Sequence, residues 1–323
     1  MRPRLLAETS VPAGDVISHV DGVGWLVARP AEQVVAVLDD LLRPTARIPV
    51  PTGGAAFEAT VRGRHVAVVT LDHLAVVDLA GNLLWRRDQP VEAVGTPCTP
   101  NCFLDADGVL WVYVPGGDHL VAFDAATGRE IDRIELESQI GAATFWPHPD
   151  RGRLGLHVVL GQDGSYSWLL RLDGDRIDCR ELAGEVLTGF TSGGDRYLAM
   201  PHVDGEIGIH DAATGTTVAG CNADGIPGYP TDPEYILVEA AAVVDDDLVV
   251  VGVNTDEYET DTEEHLLLST DDLRYVATVD YGQPMTTYAI RPAGGGGRWL
   301  TTGHDGDLVR LWRLPGPETS WST

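Results

Sequence analysis

The sequence predicts an all-β chain of seven four-stranded antiparallel units, and three observations support this. Short apolar runs rich in β-forming residues alternate with turns that contain Gly or Asp throughout the 323 residues. The segment Arg298–Leu314 contains two such runs around His304–Asp307, whose Asp-Gly pair suits a two-residue hairpin. Weaker copies of this segment recur along the chain, and recurrence at a fixed period indicates a repeat architecture.

Each repeat is recognised by a strand that ends in Asp or Trp, usually before a Gly-containing turn. The spacings between these anchors are 39, 46, 49, 38, 60 and 41 residues, which leaves room for four strands per repeat and one long insertion. This period predicts a seven-bladed β-propeller. The seven anchors are Val34–Asp39, Leu74–Asp78, Leu120–Asp124, Trp168–Asp173, Ile207–Asp211, His265–Asp271 and Leu308–Trp312.

Each repeat divides into an inner, a second, a third and an outer strand. In the third repeat these are Thr96–Leu104, Val109–Val114, His119–Phe123 and Glu130–Leu136, separated by turns that contain Gly. The other repeats divide in the same way, so we expect antiparallel blades.

The last repeat lacks an outer strand, because its third strand runs directly into a Pro-rich tail. Residues 2–9 precede the first inner strand, Val16–Val20, and have no repeat of their own. We therefore predict that the N-terminal segment forms the missing edge strand and closes the propeller, which protects an edge that would invite aggregation. One domain over residues 1–323 follows.

Two motifs resemble known repeat families. Gly303–Trp312 resembles the hairpin of a WD repeat, in which an Asp-Gly turn precedes a strand ending in Trp and then Asp; here Arg313 takes the last place. Asp-Ala-Ala-Thr-Gly, at 124–128 and 211–215, and Val77–Trp85 resemble the repeats of quinoprotein-type propellers. The resemblance implies a bacterial β-propeller scaffold. It does not extend to an active site, since features that would dock a quinone are missing, and we expect no cofactor.

Composition and charge exclude several classes of function. With 22 basic and 49 acidic residues the formal charge is −27, which opposes binding to nucleic acids and to anionic membranes. Every basic residue is Arg, so Schiff-base and P-loop lysines are excluded. Charges interrupt the amino terminus before a signal peptide could develop, and the other apolar runs are as short as strands. We expect a cytoplasmic protein.

The cysteines predict no metal site. Cys98 and Cys102 are the only close pair, and the second pair that a structural zinc site needs is absent. Free, small apolar side chains are the preferred interpretation. Whether Cys98 and Cys102 form a disulfide stays open.

Three long loops, Gln89–Thr96, Asn222–Glu234 and Asn254–Glu264, are predicted to share one side of the propeller, where function tends to reside. Asn254–Glu264 holds six carboxylates and one aromatic residue, without the ligand spacing of a calcium hand. It is either a solvated acidic loop or a patch for a basic partner, with tyrosines as anchors. The predicted partner-binding residues are Tyr229, Tyr235, Asp256, Glu257, Tyr258, Glu259, Asp261, Glu263 and Glu264.

The inner strands are predicted to line a central channel, and their first residues should lie nearest the long loops. Glu239 lies within an apolar run, where a carboxyl group could act as an acid or base, but it could equally face the hydrated channel. A small-molecule ligand in the channel is left open. The candidates at the channel mouth are Glu58, Thr99, Asn101, Thr144, Thr188, Glu239, Thr287 and Tyr288.

These features favour a non-enzymatic interaction scaffold that presents an acidic, long-loop face to a protein or peptide partner. The alternative is a small-molecule enzyme (a lyase, isomerase or hydrolase) with its pocket at the channel mouth, because propellers support such chemistry without shared motifs. No known catalytic motif is present in the sequence. A closed, partly apolar pocket over Glu239 and Tyr288 would favour the enzyme.

Overall fold

The chain forms a seven-bladed β-propeller with four antiparallel strands in each blade, as the repeats predict. It divides into two compact units, Gly14–Leu187 and Met1–Ala13 with Thr188–Thr323. No helix in the described segments is long and apolar enough to cross a membrane. Leaving aside the side chains of Leu237, Thr287 and Tyr288, the computed structural model describes residues 1–12, 15–89, 100–138, 141–160, 164–184, 186–202, 206–222, 225–230, 237–254, 264–283, 287–303 and 308–315.

The strands are short, with a single 3-10 turn, Pro30–Glu32, among the elements of the described residues. In chain order the strands are β1 (Arg4–Ser10), β2 (Val16–Val20), β3 (Gly24–Arg29), β4 (Val34–Leu38), β5 (Pro44–Pro49), β6 (Glu58–Arg62), β7 (His65–Val69), β8 (His73–Asp78), β9 (Leu83–Asp88), β10 (Asn101–Leu104), β11 (Val109–Val114), β12 (His119–Asp124), β13 (Glu130–Glu135), β14 (Ala142–Pro147), β15 (Leu154–Val159), β16 (Ser165–Asp173), β17 (Arg176–Glu181), β18 (Val186–Phe190), β19 (Arg196–Met200), β20 (Glu206–Asp211), β21 (Thr217–Asn222), β22 (Leu237–Asp245), β23 (Leu248–Asn254), β24 (Glu264–Ser269), β25 (Tyr275–Thr278), β26 (Thr287–Pro292), β27 (Arg298–Gly303) and β28 (Leu308–Arg313).

The unit Gly14–Leu187 holds the first four blades, which are β2–β5, β6–β9, β10–β13 and β14–β17. Their second and third strands are almost continuously apolar, because both faces of these strands are buried. Neighbouring blades share apolar clusters. Trp111 and Tyr113 of the third blade, for example, pack in one cluster with Leu156 and Trp168 of the fourth.

The other unit holds the fifth and sixth blades, β18–β21 and β22–β25, and the seventh blade, in the order β1-β28-β27-β26. The prediction for the N-terminal segment is confirmed: β1 is the outer strand of the last blade and runs antiparallel to β28, from Arg4 opposite Arg313 to Ser10 opposite Leu308. Trp299 and Trp312 are buried between the sixth and seventh blades.

The aspartate that ends many third strands has a local role. The Oδ1 atom of Asp78 accepts hydrogen bonds from the backbone N–H groups of Ala80 and Asn82, both at 2.9 Å, and so fixes the turn to the outer strand. This explains why Asp recurs with the period of the blades. The same use of a carboxylate occurs at Asp39, Asp124 and Asp211.

Because of these turn aspartates, the stability of the fold should depend on pH in the acidic range. Side-chain hydrogen bonds from Arg43, Asn82 and Thr127 lower the pKa of Asp39, Asp78 and Asp124 below the ordinary value of 3.8. A carboxyl group with a lowered pKa in the folded state stabilises the fold above its unfolded pKa, and this contribution is lost as the pH falls through the folded pKa.

We therefore expect the free energy of unfolding to fall as the pH drops below about 4, and to fall less steeply in a chain carrying Asp78→Asn and Asp124→Asn. Urea titrations between pH 5 and pH 2.5 measure this. Asp175→Asn is the control, since Asp175 lies exposed in the turn between β16 and β17. An unchanged pH dependence in the double variant would contradict the assigned role.

Candidate functional site

The structure describes two of the nine predicted partner-binding residues, and it places them in contact. The Tyr229 hydroxyl donates a hydrogen bond to Oε2 of Glu264 at 2.5 Å, although the two residues are 35 positions apart. The other predicted partner-binding residues lie outside the described residues: Tyr235, Asp256, Glu257, Tyr258, Glu259, Asp261 and Glu263.

Tyr229 is held against the sixth blade. Its ring is half-buried, and its centroid lies 5.5 Å from that of Tyr275 in β25, with an interplanar angle of 56°. The backbone N–H of Tyr275 donates to the carbonyl of Pro227 at 2.9 Å. The connection from β21 to β22 is therefore pinned to β25, and it also meets Glu264 at the exposed start of β24. The described part of the connection after β21 thus meets Glu264, the last residue of Asn254–Glu264, at this blade.

Three of the channel-mouth candidates belong to consecutive inner strands in the unit Gly14–Leu187. Glu58, Asn101 and Thr144 lie on β6, β10 and β14, and all three are half-buried. The Nδ2 group of Asn101 donates to the carbonyl of Ala143 at 2.8 Å, so Asn101 ties two neighbouring inner strands together. A second hydrogen bond links β10 to the inner strand on its other side, β6: the Leu104 N–H donates to Thr60 Oγ1 at 3.3 Å. The side chains of Asn101 and Thr60 therefore have structural partners.

The remaining candidates belong to the other unit or lie outside the described residues. Thr188 is buried, and its hydroxyl donates to the carbonyl of Leu198 at 3.3 Å. Glu239 is exposed at an irregularity of β22, where the register shifts between its two neighbours in sequence. Thr287 and Tyr288 lie in β26, and their side chains are outside the described residues, as is Thr99.

The described cysteines are poor nucleophiles and poor metal ligands. Cys102, Cys179 and Cys221 are free thiols. Burial raises the pKa of Cys179 to about 12 and that of Cys221 to about 11, and it raises the pKa of Cys102 as well. The thiolate is the reactive form, so these thiols are unreactive near neutral pH. In the parts of the chain that are described, no three His, Cys, Asp or Glu side chains gather as metal ligands would.

Sequence reasoning missed a cavity of about 320 Å³ in the unit Gly14–Leu187. It lies at the turns between the inner and second strands of the first four blades, which the sequence predicts only as connections. The available signal was that several of the few basic residues fall at or beside these turns. The lining residues are Asp21, Gly22, Arg62, Phe103, Asp105, Ala106, Pro147, His148, Pro149, Arg151 and Arg153.

Comparisons with known proteins identify the fold alone. No protein-family model matches this sequence, and no curated protein matches it. BamB from Moraxella catarrhalis superimposes with a TM-score of 0.58 at 13% identity, over 97% of this chain and 100% of that chain. BBS1N in complex with ARL6DN gives 0.57 at 13% identity, over 98% and 99% of the two chains. The C-terminal WD40 domain of Sif2 gives 0.56 at 11% identity, over 97% and 99%. The chain is therefore similar in fold to WD40 and BamB-type β-propellers.

Proposed function

We propose that this protein is a non-enzymatic interaction scaffold, which binds a basic protein or peptide through the acidic long loops beside its sixth blade. The observation that supports the proposal is the contact between Tyr229 and Glu264, because these two residues belong to different long loops and meet at the sixth blade. Binding residues are often found in loops that a rigid scaffold positions.

Charge and aromatic content of these loops support a basic partner. Asn254–Glu264 contributes six carboxylates in a chain whose formal charge is −27. Such a concentration of negative charge attracts a cationic surface and raises the rate of encounter. Tyr229, Tyr235 and Tyr258 supply amphipathic rings, which often carry much of the binding energy in interfaces. Among the solved structures of similar fold, BBS1N is in complex with ARL6DN, which agrees with a propeller acting as a scaffold.

The enzyme alternative has less support. An enzyme of this kind needs a carboxyl group that lies among apolar neighbours, where the group can act as an acid or base. Glu239, the residue proposed for that part, is exposed. The polar side chains of Asn101 and Thr188 are hydrogen-bonded to backbone carbonyls.

Neutralising the acidic loop should slow association with the partner. The variant carries Asn or Gln at Asp256, Glu257, Glu259, Asp261, Glu263 and Glu264. Affinity capture from cells that produce the protein identifies the partner, and surface plasmon resonance then gives the association rate at 20 to 300 mM salt. We expect the rate for the unmodified protein to fall steeply with salt, and the rate for the variant to be about tenfold lower at low salt with little salt dependence.

A control variant changes the total charge by the same amount at exposed sites in the unit Gly14–Leu187. It carries Asn or Gln at Asp107, Glu135, Glu137, Asp173, Asp175 and Glu181. Each single substitution should change stability by no more than about 0.5 kcal/mol, so both variants should remain folded. If the control slows association as much as the loop variant does, net charge and not the acidic loop explains the effect, and the proposed face is wrong.

A further inference from the structure

The cavity in the unit Gly14–Leu187 has the composition of an anion site. Three of the chain's 22 basic residues line it, Arg62, Arg151 and Arg153, in a protein with 49 acidic residues. Arg153 has Nε 3.5 Å from Oδ2 of Asp150. Arg62 and Arg151 have no carboxylate oxygen within ion-pair distance among the described residues. At least ten of the other twenty arginines form an ion pair with a carboxylate among the described residues, whereas these two guanidinium groups are available to an external anion.

The two acidic residues at the cavity have other partners. Asp105 receives backbone hydrogen bonds at Oδ1 from Asp107 and Val109, both at 2.9 Å, and one at Oδ2 from the Trp111 indole at 3.0 Å. Asp21 lies with Oδ1 3.6 Å from Nδ1 of His19. The Asp105 oxygens therefore serve local contacts, and the three arginines outnumber the two carboxylates that line the cavity.

The cavity also has an apolar wall. Phe103 is half-buried on β10, with its ring centroid 6.4 Å from that of Phe145. Pro147 and Pro149 line the same space. A ligand that fits these walls carries an aliphatic or aromatic body as well as its negative charge. The volume of about 320 Å³ falls at the small end of the roughly 300–1,000 Å³ typical of ligand pockets, so the ligand is a small molecule.

The turns that form the cavity are rigid. The backbone N–H of Asp150 donates to Nδ1 of His148 at 3.0 Å, and the Arg153 N–H donates to the Asp150 carbonyl at 2.9 Å. Arg62 ends β6 opposite His65, across a two-residue hairpin. The backbone of these turns therefore needs little ordering on binding, which lowers the entropic cost of holding a small ligand.

We propose that this cavity binds a small organic anion, a carboxylate or a phosphate ester. Arg62 and Arg151 contact the anionic group, with Arg153 beside them, and Phe103 packs against the body of the ligand. Guanidinium groups suit this task because their fixed N–H donors match both carboxylate and phosphate oxygens. The proposal does not depend on the acidic loops of the proposed function, and either can fail alone.

The first test uses benzoate and phenyl phosphate as probes, with benzyl alcohol as the uncharged control. Isothermal titration calorimetry on the full chain at low salt should give saturable binding of one molecule of at least one anion and none of benzyl alcohol. The ratio of the two affinities shows whether the site prefers a carboxylate or a phosphate. Absence of binding by both anions at millimolar concentrations, or equal binding of benzyl alcohol, would overturn the proposal.

The second test assigns the binding to the cavity. Arg62→Gln should weaken the affinity for the anion about tenfold or more, because a hydrogen bond to a charged group is lost. Arg64→Gln is the matched control, since Arg64 is exposed two positions away and does not line the cavity. Arg151→Gln, at an exposed turn position, repeats the test if Arg62→Gln fails to fold. Equal losses in the cavity variants and in Arg64→Gln would mean that binding lies elsewhere.

Discussion

Deleting residues 1–9 is expected to lower the melting temperature by about 10 °C or more and to cause aggregation. The deletion removes nearly all of β1, whose pairing with β28 runs from Arg4 opposite Arg313 to Ser10 opposite Leu308. It also removes the ion pair in which Arg310 Nε lies 2.7 Å from Glu8 Oε2. Several backbone hydrogen bonds of about 1 kcal/mol each are lost, and each kcal/mol is worth roughly 1.5 °C in a chain of this size.

The exposure of the β1 residues shows which interactions the deletion removes. Most of its residues are exposed or half-buried, so the deletion removes hydrogen bonds more than apolar core. Val309 and Leu311 remain buried on β28, while the backbone of β28 becomes an open edge. An open edge can pair with another chain, which explains the expected aggregation.

Thermal melts followed by circular dichroism, with light scattering, measure both effects. A synthetic peptide of residues 1–10 added to the truncated chain should restore part of the melting temperature, because it can pair with β28. A scrambled peptide of the same composition is the control. A truncated chain that melts with the full chain and stays monomeric would show that β1 contributes little.

The sequence predicts the blades well because their determinants are local. An aspartate such as Asp78 accepts hydrogen bonds from N–H groups within four residues. Because this role is local, Asp recurs at the same position in many repeats of the sequence. The missing outer strand of the last blade and the unassigned N-terminal segment are also visible as an imbalance in the count of strands. The N-terminal pairing could therefore be predicted although it joins the two ends of the chain.

The candidate sites are harder to predict because they join residues that are distant in sequence. Arg62 and Arg151 come from turns of different blades, and each turn by itself has an ordinary composition. Ranking loops by length directs attention to the long ones and away from these turns. The contact of Tyr229 with Glu264 likewise depends on how the connection after β21 packs on the sixth blade.

Asp118, in the turn between β11 and β12, is a buried carboxylate whose role the sequence did not reveal. It is 6% exposed, and Oδ1 accepts hydrogen bonds from the Tyr113 hydroxyl at 3.0 Å and the Ser138 hydroxyl at 2.5 Å, while Oδ2 accepts the Ser138 N–H. The Gly141 N–H donates to the Tyr113 oxygen at 3.2 Å. Burial, with a smaller contribution from the Asp118 charge, raises the pKa of Tyr113, so its hydroxyl keeps the proton that it donates.

Asp118→Ala should therefore lower the free energy of unfolding by about 3–5 kcal/mol, since three donors on the buried residues Tyr113 and Ser138 lose their acceptor. The left-handed backbone at Asp118, with φ of 52°, adds to the cost because Ala tolerates it less well than Asp or Asn. Tyr113→Phe removes one donor to Asp118 and the acceptor of the Gly141 N–H, and it should cost less, about 1–3 kcal/mol. Asp175→Ala, at an exposed turn, should stay within about 0.5 kcal/mol. Urea unfolding at pH 7 ranks the three variants, and an Asp118→Ala protein as stable as Asp175→Ala would show that this buried network does not stabilise the third blade.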